Sequence, residues 1–426
     1  MIPKVFLLAI ILFSIKAPGH PQDLSDALKR HDLGTAKTLI ASGANVDQKG
    51  KDGIPPLVWA TAWGDSTIVE LLIQKRAKVN VNGDSMMSPL MEATARGYTG
   101  LVDMLLSAGA DPNYSVKVRT SSTEVRDRTA LLLAAVMGYG GIVSTLLDHD
   151  ADVNFQADIH IDAASTEYSL KGETALMLAI LKKHCEIVQI LLARKADPDR
   201  QAEQMQNRYL TYMKDETALM VAARIRDTCC VRALLEARAN INVENYNGVT
   251  VLSTACNGGD STIVNLLLNH GADANFKAST TYNIGIMGEL VRTIHLPYDM
   301  SIPILILGVV SKNSDVVKAL LDHGANPDAV APGNISPLLR AVLDTNIETI
   351  KLLLARKADP NIADKLGMNP LILASRKGCT ECTKVLLEAG ARTDAEDSNS
   401  GTALSYAKNS GSQQIINLLI KAGAKR

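Results

Sequence analysis

The sequence has almost no net charge. Its 426 residues include 44 Lys and Arg against 45 Asp and Glu, and the formal net charge at pH 7 is -1. Proteins that bind DNA or RNA concentrate positive charge on one face, because contacts to phosphate supply much of the affinity. With such a balanced composition, we expect no nucleic-acid partner.

Catalytic motifs are missing as well. The chain contains no G-x-x-x-x-G-K-[S/T] phosphate loop, no G-x-G-x-x-G fingerprint, no G-x-S-x-G nucleophile turn and no H-E-x-x-H metal helix. We therefore expect no catalytic activity, no cofactor and no small-molecule substrate. An enzyme whose site is built from insertions between the recurring motifs of the chain stays open as an alternative.

The chain also lacks an apolar run of the length that crosses a bilayer, which is about 20 residues. A shorter apolar run at residues 5–15 follows Lys4 and precedes Ala17-Pro18-Gly19. This pattern is typical of a secretory signal peptide, which we predict at residues 1–19. The protein would then be exported, either secreted or periplasmic. The alternative is an uncleaved segment that anchors the chain, and we expect no other membrane contact.

What the chain does contain is a block of about 33 residues that recurs from residue 53 onward. It reads [T/S/N]-[P/A]-L, a helix of small residues, [I/V]-V-x-x-L-L, and finally A-[D/N]-x-[N/D]. One copy runs from Ser88-Pro89-Leu90 to Ala110-Asp111-Pro112-Asn113, and the next begins at Thr129-Ala130-Leu131. Each copy holds two short apolar-periodic segments that are not stable helices alone in water. Stacking of successive copies must therefore bury them.

These residues resemble the ankyrin repeat, whose period is about 33 and whose signature is T-P-L-H-x-A. The resemblance implies an all-α repeat solenoid of helix-turn-helix units with β-hairpin fingers, over residues 20–426. We expect a half-repeat at 23–50 and repeats that begin near residues 53, 87, 128, 173, 216, 249, 301, 335, 368 and 401. The signature histidine is absent from every unit, and residues such as Val58, Met91 and Ser253 replace it.

The ends of the predicted helices carry recognisable capping residues. Thr or Ser opens most units, where its side chain can cap the first helix. Gly follows several second helices, where a left-handed residue ends the helix without strain. The positions in question are Gly43, Gly109, Gly271, Gly324 and Gly390.

Six cysteines and three recurrent histidines are the remaining candidates for chemistry. Cys379 and Cys382 have the C-x-x-C spacing of a redox pair, but Cys382 occupies a core position of its repeat, and we favour a structural role. Whether the two form a disulfide stays open. His149, His270 and His323 recur at the ends of second helices, where we expect them to bond to helix carbonyls rather than to a metal.

Four units are lengthened between the A-[D/N]-x-[N/D] element and the next helix. The signature leucines, with Ile304 in place of the last one, are separated there by 41, 45, 43 and 52 residues, and the inserts lie at residues 114–127, 155–171, 200–214 and 276–300. The first, second and fourth inserts show alternating strands around a polar turn and predict hairpins, whereas the third insert, at residues 200–214, is less regular. In ankyrin proteins this place is the finger, and insertions in repeat proteins often map to the binding face.

Tyrosine is concentrated in these inserts, and tyrosine is a common interface anchor. A second candidate surface is the concave groove formed by the ends of the first helices. The predicted partner-binding residues are Tyr114, Tyr168, Tyr209, Tyr212 and Tyr282 in the fingers, and Trp63, Arg96, Met137, Lys182 and Ile225 in the groove. The alternative for the tyrosines is that they only hold the hairpins to each other.

The sequence as a whole predicts an exported protein-protein interaction module without catalytic activity, which binds a protein partner of unknown identity. Two alternatives stay open at this point. The chain could be a secreted effector that engages host proteins, or a periplasmic structural spacer. The partner class follows from the resemblance and from the tyrosines, because a fold alone does not define a function.

Overall fold

The computed structural model describes residues 23–82, 87–120, 123–163, 166–202, 204–207, 210–213, 215–279 and 301–425. The predicted signal peptide, Tyr209 and Tyr282 lie outside these residues. The chain divides into two compact units, residues 1–118 and 119–426, and we describe each by itself. Within the described residues, no helix combines the length and the apolar character needed to span a membrane.

The first unit consists of helix pairs. They are α1 (Leu24–Lys29) with α2 (Leu33–Ala41), α3 (Pro56–Trp63) with α4 (Ser66–Gln74), and α5 (Pro89–Ala95) with α6 (Thr99–Ser107). First helices pack on first helices and second helices on second helices. The segment predicted as a half-repeat thus contains both helices of a pair, and only the first is shortened.

The second unit repeats the same pairing. Its described helices are α7 (Ala130–Met137) with α8 (Gly140–Asp148), α9 (Ala175–Leu181) with α10 (Cys185–Ala193), α11 (Ala218–Arg224) with α12 (Thr228–Glu236), α13 (Val251–Gly258) with α14 (Ser261–Asn269), α15 (Ile304–Val310) with α16 (Ser314–Asp322), α17 (Pro337–Leu343) with α18 (Ile347–Ala355), α19 (Pro370–Arg376) with α20 (Thr380–Glu388), and α21 (Ala403–Asn409) with α22 (Gln413–Lys421). The all-α repeat solenoid predicted from the sequence is confirmed.

The helices begin where polar side chains cap them. In the first helices, the hydroxyl of Thr129 or Ser88 accepts the N–H three residues later. In many second helices an aspartate or asparagine does the same, as Asp65 does for Ile68 at 3.0 Å. The serine that replaces the signature histidine at Ser253 returns a bond to the cap backbone, which completes a capping box.

The A-[D/N]-x-[N/D] motif connects one repeat to the next. Its first polar side chain closes the local turn, whereas its last one accepts a backbone N–H from the following repeat. The Oδ1 atom of Asn361 accepts the N–H of Arg392 at 2.8 Å, and Asp328 accepts that of Asp359 at 2.8 Å. These bonds between repeats explain why the motif recurs with the period of the fold.

The glycines that were predicted to end second helices do so in the left-handed region, with φ of 83° at Gly324 and 85° at Gly390. In other repeats a residue with a Cβ occupies the same place. Lys357, which follows α18, has φ 65°, and Lys195 has φ 66°. A residue other than glycine pays a steric penalty in this region.

Replacing Lys357 by Gly is therefore expected to raise the free energy of unfolding by about 0.5 to 1 kcal/mol, because relief of strain exceeds the added entropy of the unfolded chain. The matched control is Gly324→Ala, at the equivalent place one repeat earlier. A Cβ there meets no atom within 4 Å, so only the backbone conformation is changed, and stability should fall by about 1 kcal/mol. Urea unfolding measures both, and shifts of the same sign would contradict this account.

Strands form in the inserts. They are β1 (Val116–Thr120), which spans the boundary between the units, β2 (Thr123–Arg128), β3 (Ala157–Ala163), β4 (Thr166–Glu173), β5 (Gln201–Ala202), β6 (Gln204–Asn207), β7 (Leu210–Met213), β8 (Glu216–Thr217), β9 (Lys277–Ser279) and β10 (Ser301–Pro303). The hairpin predicted in the second insert is confirmed as β3 and β4. The third insert, which the sequence shows as less regular, also contains a hairpin, β6 with β7.

Candidate interaction surface

Strands from three consecutive inserts join in one antiparallel sheet. In the second unit the order is β2-β3-β4-β6-β7, and we call these five strands the finger sheet. The pairing of β2 with β3 joins the first and second inserts, and that of β4 with β6 joins the second and third. The fingers are therefore connected by backbone hydrogen bonds rather than projecting separately.

The register of the finger sheet aligns residues of like polarity in two adjacent rows. One row across the strands reads Val125, Ile159, Leu170, Met205, Met213, and the adjacent row in the three central strands reads His160, Ser169, Gln206. Successive residues of a strand belong to opposite faces of a sheet. The first row is entirely apolar and the second entirely polar, so the backbone pairing assigns an apolar row and a polar row to opposite faces.

Ionisable residues occupy the bases of the first three lengthened fingers, directly before the threonine that caps the next helix. These residues are Arg128, Glu173 and Glu216. At the same place in shorter fingers lie Ile335 and Met368, both of which are buried. Glu173 has no exposed surface and Glu216 is 4% exposed. Three of the four lengthened fingers therefore have an ionisable residue at this place, whereas the fourth has the buried Ile302 before its N-cap Pro303.

The two glutamates differ in their partners. Glu216 accepts a hydrogen bond from Nη2 of Arg224 at 3.1 Å. Neither carboxyl oxygen of Glu173 has a hydrogen-bond partner within the part of the chain that the structure describes. Burial raises the pKa of Glu173 to about 8, the charge of Glu216 adds to this effect, and Arg224 opposes it. Burial also raises the pKa of Glu216, against the influence of Arg224. Glu173 is thus mainly protonated at neutral pH.

Trp63, a predicted anchor of the groove, contacts the preceding helix pair. Its Nε1 donates to the carbonyl oxygen of Leu28 at 2.9 Å, and its ring centroid lies 4.8 Å from that of His31. The side chain is half-buried. Trp63 therefore clamps α3 to the end of α1. Trp59, which the sequence suggested is packed, is 8% exposed.

The other groove residues fall at the ends of first helices. Arg96 is ion-paired with Glu92 at 3.4 Å, and burial raises the pKa of Glu92 despite this pair. Met137, Lys182 and Ile225 end α7, α9 and α11, helices that pack side by side. Met137 is 38% exposed, and the other two are half-buried. The structure thus brings these three together as one row, which we call the helix-end row.

Among the finger tyrosines, the structure describes the side chain of Tyr114. Its hydroxyl donates to Oδ1 of Asn82 at 3.3 Å, and the residue is half-buried. Tyr168 lies in β4 and Tyr212 in β7. The partner-binding roles assigned to these tyrosines remain predictions.

Exposed apolar residues at the tips of shorter fingers were not singled out by the sequence. Tyr246 is 70% exposed and Leu366 is 53% exposed. Each follows an aspartate or asparagine that folds the tip into a turn; Oδ1 of Asp364 accepts the N–H groups of Leu366 and Met368, both at 2.8 Å. The signal that could have found them is this turn residue, because the residues within a turn at the tip of a finger lie at the surface.

The three recurrent histidines bond to helix carbonyls, as predicted. Their Nδ1 atoms lie 3.0, 2.8 and 2.9 Å from the carbonyl oxygen four residues earlier, in the order His149, His270, His323. Across the described ranges, no group of three or more His, Cys, Asp or Glu residues is arranged to hold a metal ion.

The cysteines form two disulfides. One joins Cys185 at the start of α10 to Cys229 in α12, and the other joins Cys379 to Cys382. Cys382 is buried, as its core position predicted. The described free cysteines are Cys230 and Cys256. Burial raises the pKa of Cys230 to about 12 and that of Cys256 still further, so both remain uncharged thiols.

Stacked helix pairs with fingers define a repeat protein. The sequence profile described as "Ankyrin repeats (3 copies)" matches residues 24–116, 115–202, 203–278 and 338–425. The chain belongs to the ankyrin-repeat family. Members of this family are generally protein-protein interaction modules.

Several known proteins are similar to parts of the chain. The "E3 ubiquitin-protein ligase KEG" of Arabidopsis thaliana is 31% identical over 59% of this chain and 17% of its own length. A "Putative ankyrin repeat-containing protein" of Treponema pallidum is 33% identical over 24% of this chain and 32% of its own. The human ASB11 ankyrin repeat domain aligns with a TM-score of 0.45 and 22% identity, over 60% of this chain and 100% of that domain. The chain spans at most about a third of these curated relatives.

Proposed function

We propose that the chain is an exported protein without catalytic activity that binds a protein partner through the finger sheet and the helix-end row. The observation that carries this proposal is the finger sheet itself. Fingers of three consecutive repeats share backbone hydrogen bonds. A surface that is ordered before binding loses less conformational entropy when a partner docks.

The distribution of residues over the finger sheet supports a protein partner. The cores of protein interfaces are apolar and depleted in charge. The row from Val125 to Met213 offers apolar positions across five strands. The helix-end row adds Met137, which is exposed. A partner that contacts both would meet apolar groups from strands and helices of the same repeats.

Export is supported by the disulfides and by the pattern of residues 1–19. Disulfides persist in oxidising compartments, whereas the cytosol keeps thiols reduced. The Cys185–Cys229 bond joins two neighbouring repeats. Fractionation of the producing cells tests this part of the proposal: we expect the chain outside the cytosol and shortened by the leading segment. A full-length chain in the cytosol with reduced cysteines would contradict it.

Binding is tested by cutting the second and third inserts back to the length of a short finger. In the trimmed variant Glu173 and Glu216 are replaced by Ile and Met, the residue types at Ile335 and Met368. These apolar residues are the ones that short fingers have at this buried place. Partners are first captured by cross-linking to the full chain and identified. We then expect the dissociation constant of the purified partner to rise at least 100-fold for the trimmed variant, since the central contacts of an interface dominate affinity.

The matched control is Leu366→Ser, which changes an exposed fingertip outside the finger sheet. It should alter the dissociation constant less than threefold. Circular dichroism must show that both variants keep their helices. If the trimmed variant binds the identified partner as tightly as the full chain, the finger sheet is not the binding surface. A trimmed chain that is fully helical and still captures every partner would favour a spacer.

A further inference from the structure

The Cys379–Cys382 disulfide lies at the N-terminus of a helix, and its position in the repeat is informative. Cys379 is the N-cap of α20, and Cys382 is the third residue of that helix. In four other repeats the N-cap of the second helix is an aspartate, as at Asp65, Asp227 and Asp260. A sulfur atom thus stands where other repeats place a carboxylate.

The local hydrogen bonding follows the same pattern. Sγ of Cys379 accepts the N–H of Cys382 at 3.3 Å, just as Oδ1 of Asp227 accepts the N–H of Cys230 at 3.0 Å. The N-terminus of a helix favours negative charge, because its N–H groups and the helix dipole point toward that end. When the disulfide is open, a thiolate at Cys379 would occupy a site that accommodates an anion in equivalent repeats. This stabilises the reduced form relative to the disulfide.

The charges around the pair act in the same direction. Lys377 is exposed and lies two residues before Cys379 in the sequence. The nearby carboxylate, Glu381, is paired with Lys351 at 3.1 Å. Positive side chains beside a cysteine favour its thiolate.

The length of the loop closed by the disulfide is a separate observation. The three-residue spacing of Cys379 and Cys382 closes a much shorter loop than the 44-residue separation of Cys185 and Cys229. The Cys379–Cys382 disulfide therefore constrains the unfolded chain less.

We infer that Cys379 and Cys382 form a redox-active disulfide that oxidises thiols by thiol–disulfide exchange. Cys379 is half-buried and Cys382 is fully buried, so an incoming thiolate attacks Sγ of Cys379. The bond between the two sulfurs breaks, and Cys382 leaves as a thiolate that takes up a proton. A second thiolate then attacks the partner's sulfur and releases Cys379. Two electrons and two protons pass to the pair, and the partner thiols end as a disulfide.

This activity is tested by equilibrating the full chain with buffers of reduced and oxidised glutathione. Alkylation and mass spectrometry then measure the reduced fraction of each disulfide. The quantity compared is the ratio of the squared concentration of reduced glutathione to the concentration of oxidised glutathione at which half of a disulfide is reduced. We expect this ratio to be at least tenfold lower for Cys379–Cys382 than for Cys185–Cys229. Equal ratios, or a higher ratio for Cys379–Cys382, would overturn the inference.

Two variants test which sulfur is attacked. Cys382→Ala leaves Cys379 alone, and we expect it to form a mixed disulfide with glutathione. Cys379→Asp restores the N-cap found in other repeats and leaves Cys382 buried, so Cys382 should remain unmodified. Stronger modification of the Cys379→Asp variant than of the Cys382→Ala variant would contradict the assignment. If a variant loses its helical signal in circular dichroism, the comparison of the two disulfides in the unaltered chain tests the inference by itself.

Discussion

Replacing Glu173 by Gln is expected to make the folded chain more stable at pH 8 and to leave its stability nearly unchanged at pH 4.5. The carboxyl of Glu173 is fully buried and has no hydrogen-bond partner among the described residues. Its pKa in the folded chain is about 8, against an ordinary value of 4.5, mainly because of burial and then because of Glu216. Glutamine has the same shape and cannot ionise.

The direction of the effect follows from proton binding. Between pH 4.5 and about 8 the folded chain keeps the proton on Glu173, whereas the unfolded chain releases it. Because the folded state then binds more protons, its stability falls as the pH rises through this window. The loss at pH 8 is on the order of 4 kcal/mol, since each unit of pKa difference corresponds to about 1.4 kcal/mol and the folded chain is half protonated at that pH.

Urea unfolding at several pH values measures this difference between the two chains. Glu92 and Glu216 also titrate with raised pKa values, so the comparison must be with the unaltered chain at each pH. The matched control is Glu381→Gln, which alters an exposed glutamate that is paired with Lys351. Parallel profiles for the unaltered chain and the Glu173→Gln variant would show that Glu173 is ionised in the folded state.

Replacing both Cys185 and Cys229 by Ser is expected to lower the free energy of unfolding by about 3 to 4 kcal/mol. The disulfide closes a loop defined by a sequence separation of 44 residues, and opening it enlarges the set of unfolded conformations. The serines should cost little in packing, because Cys229 is exposed and Cys185 is half-buried. The whole expected loss is therefore attributed to the cross-link.

Chemical unfolding with and without a strong reductant separates the cross-link from other effects. Under reducing conditions the free energy of unfolding of the unaltered chain should fall to that of the double variant in the same reductant. The double variant should lose only the smaller contribution of Cys379–Cys382 when the reductant is added. That shorter loop is worth about 2 kcal/mol on the same entropic scale. An unaltered chain that stays more stable than the variant in reductant would mean that the serines disturb the packing.

Much of the fold follows from the sequence because its determinants are local and periodic. Thr129 and Asp65 cap helices within three residues of themselves. Asn361 bonds to a backbone group one period away. The strands of the second insert were visible as alternation in the sequence. In the third insert the strands are only four residues each and the register shifts between Met205 and Asn207, which explains its irregular pattern.

The candidate surface was harder to predict because its contacts do not follow the period. Trp63 was expected in the groove, but whether it contacts His31 depends on how α3 packs against the preceding pair. Cys185 and Cys229 are 44 residues apart because an insert lies between them, so the repeat period alone does not align them. The unusual position of Glu173 and Glu216 was visible in the sequence, because shorter fingers have the apolar residues Ile335 and Met368 directly before the helix cap.

The finger sheet also affects how the repeats open. Where repeats contact only their neighbours, an array can lose structure one repeat at a time from an end. The backbone bonds of β2, β3, β4, β6 and β7 connect the segments before α7, between α8 and α9, and between α10 and α11. Opening one of these repeats therefore requires breaking strand pairs as well as helix contacts. Near the C-terminal end, the described fingers hold isolated bridges such as that of Ala331 with Ile335. Partial unfolding of this unit should therefore begin there, and the repeats under the finger sheet should remain folded as a block.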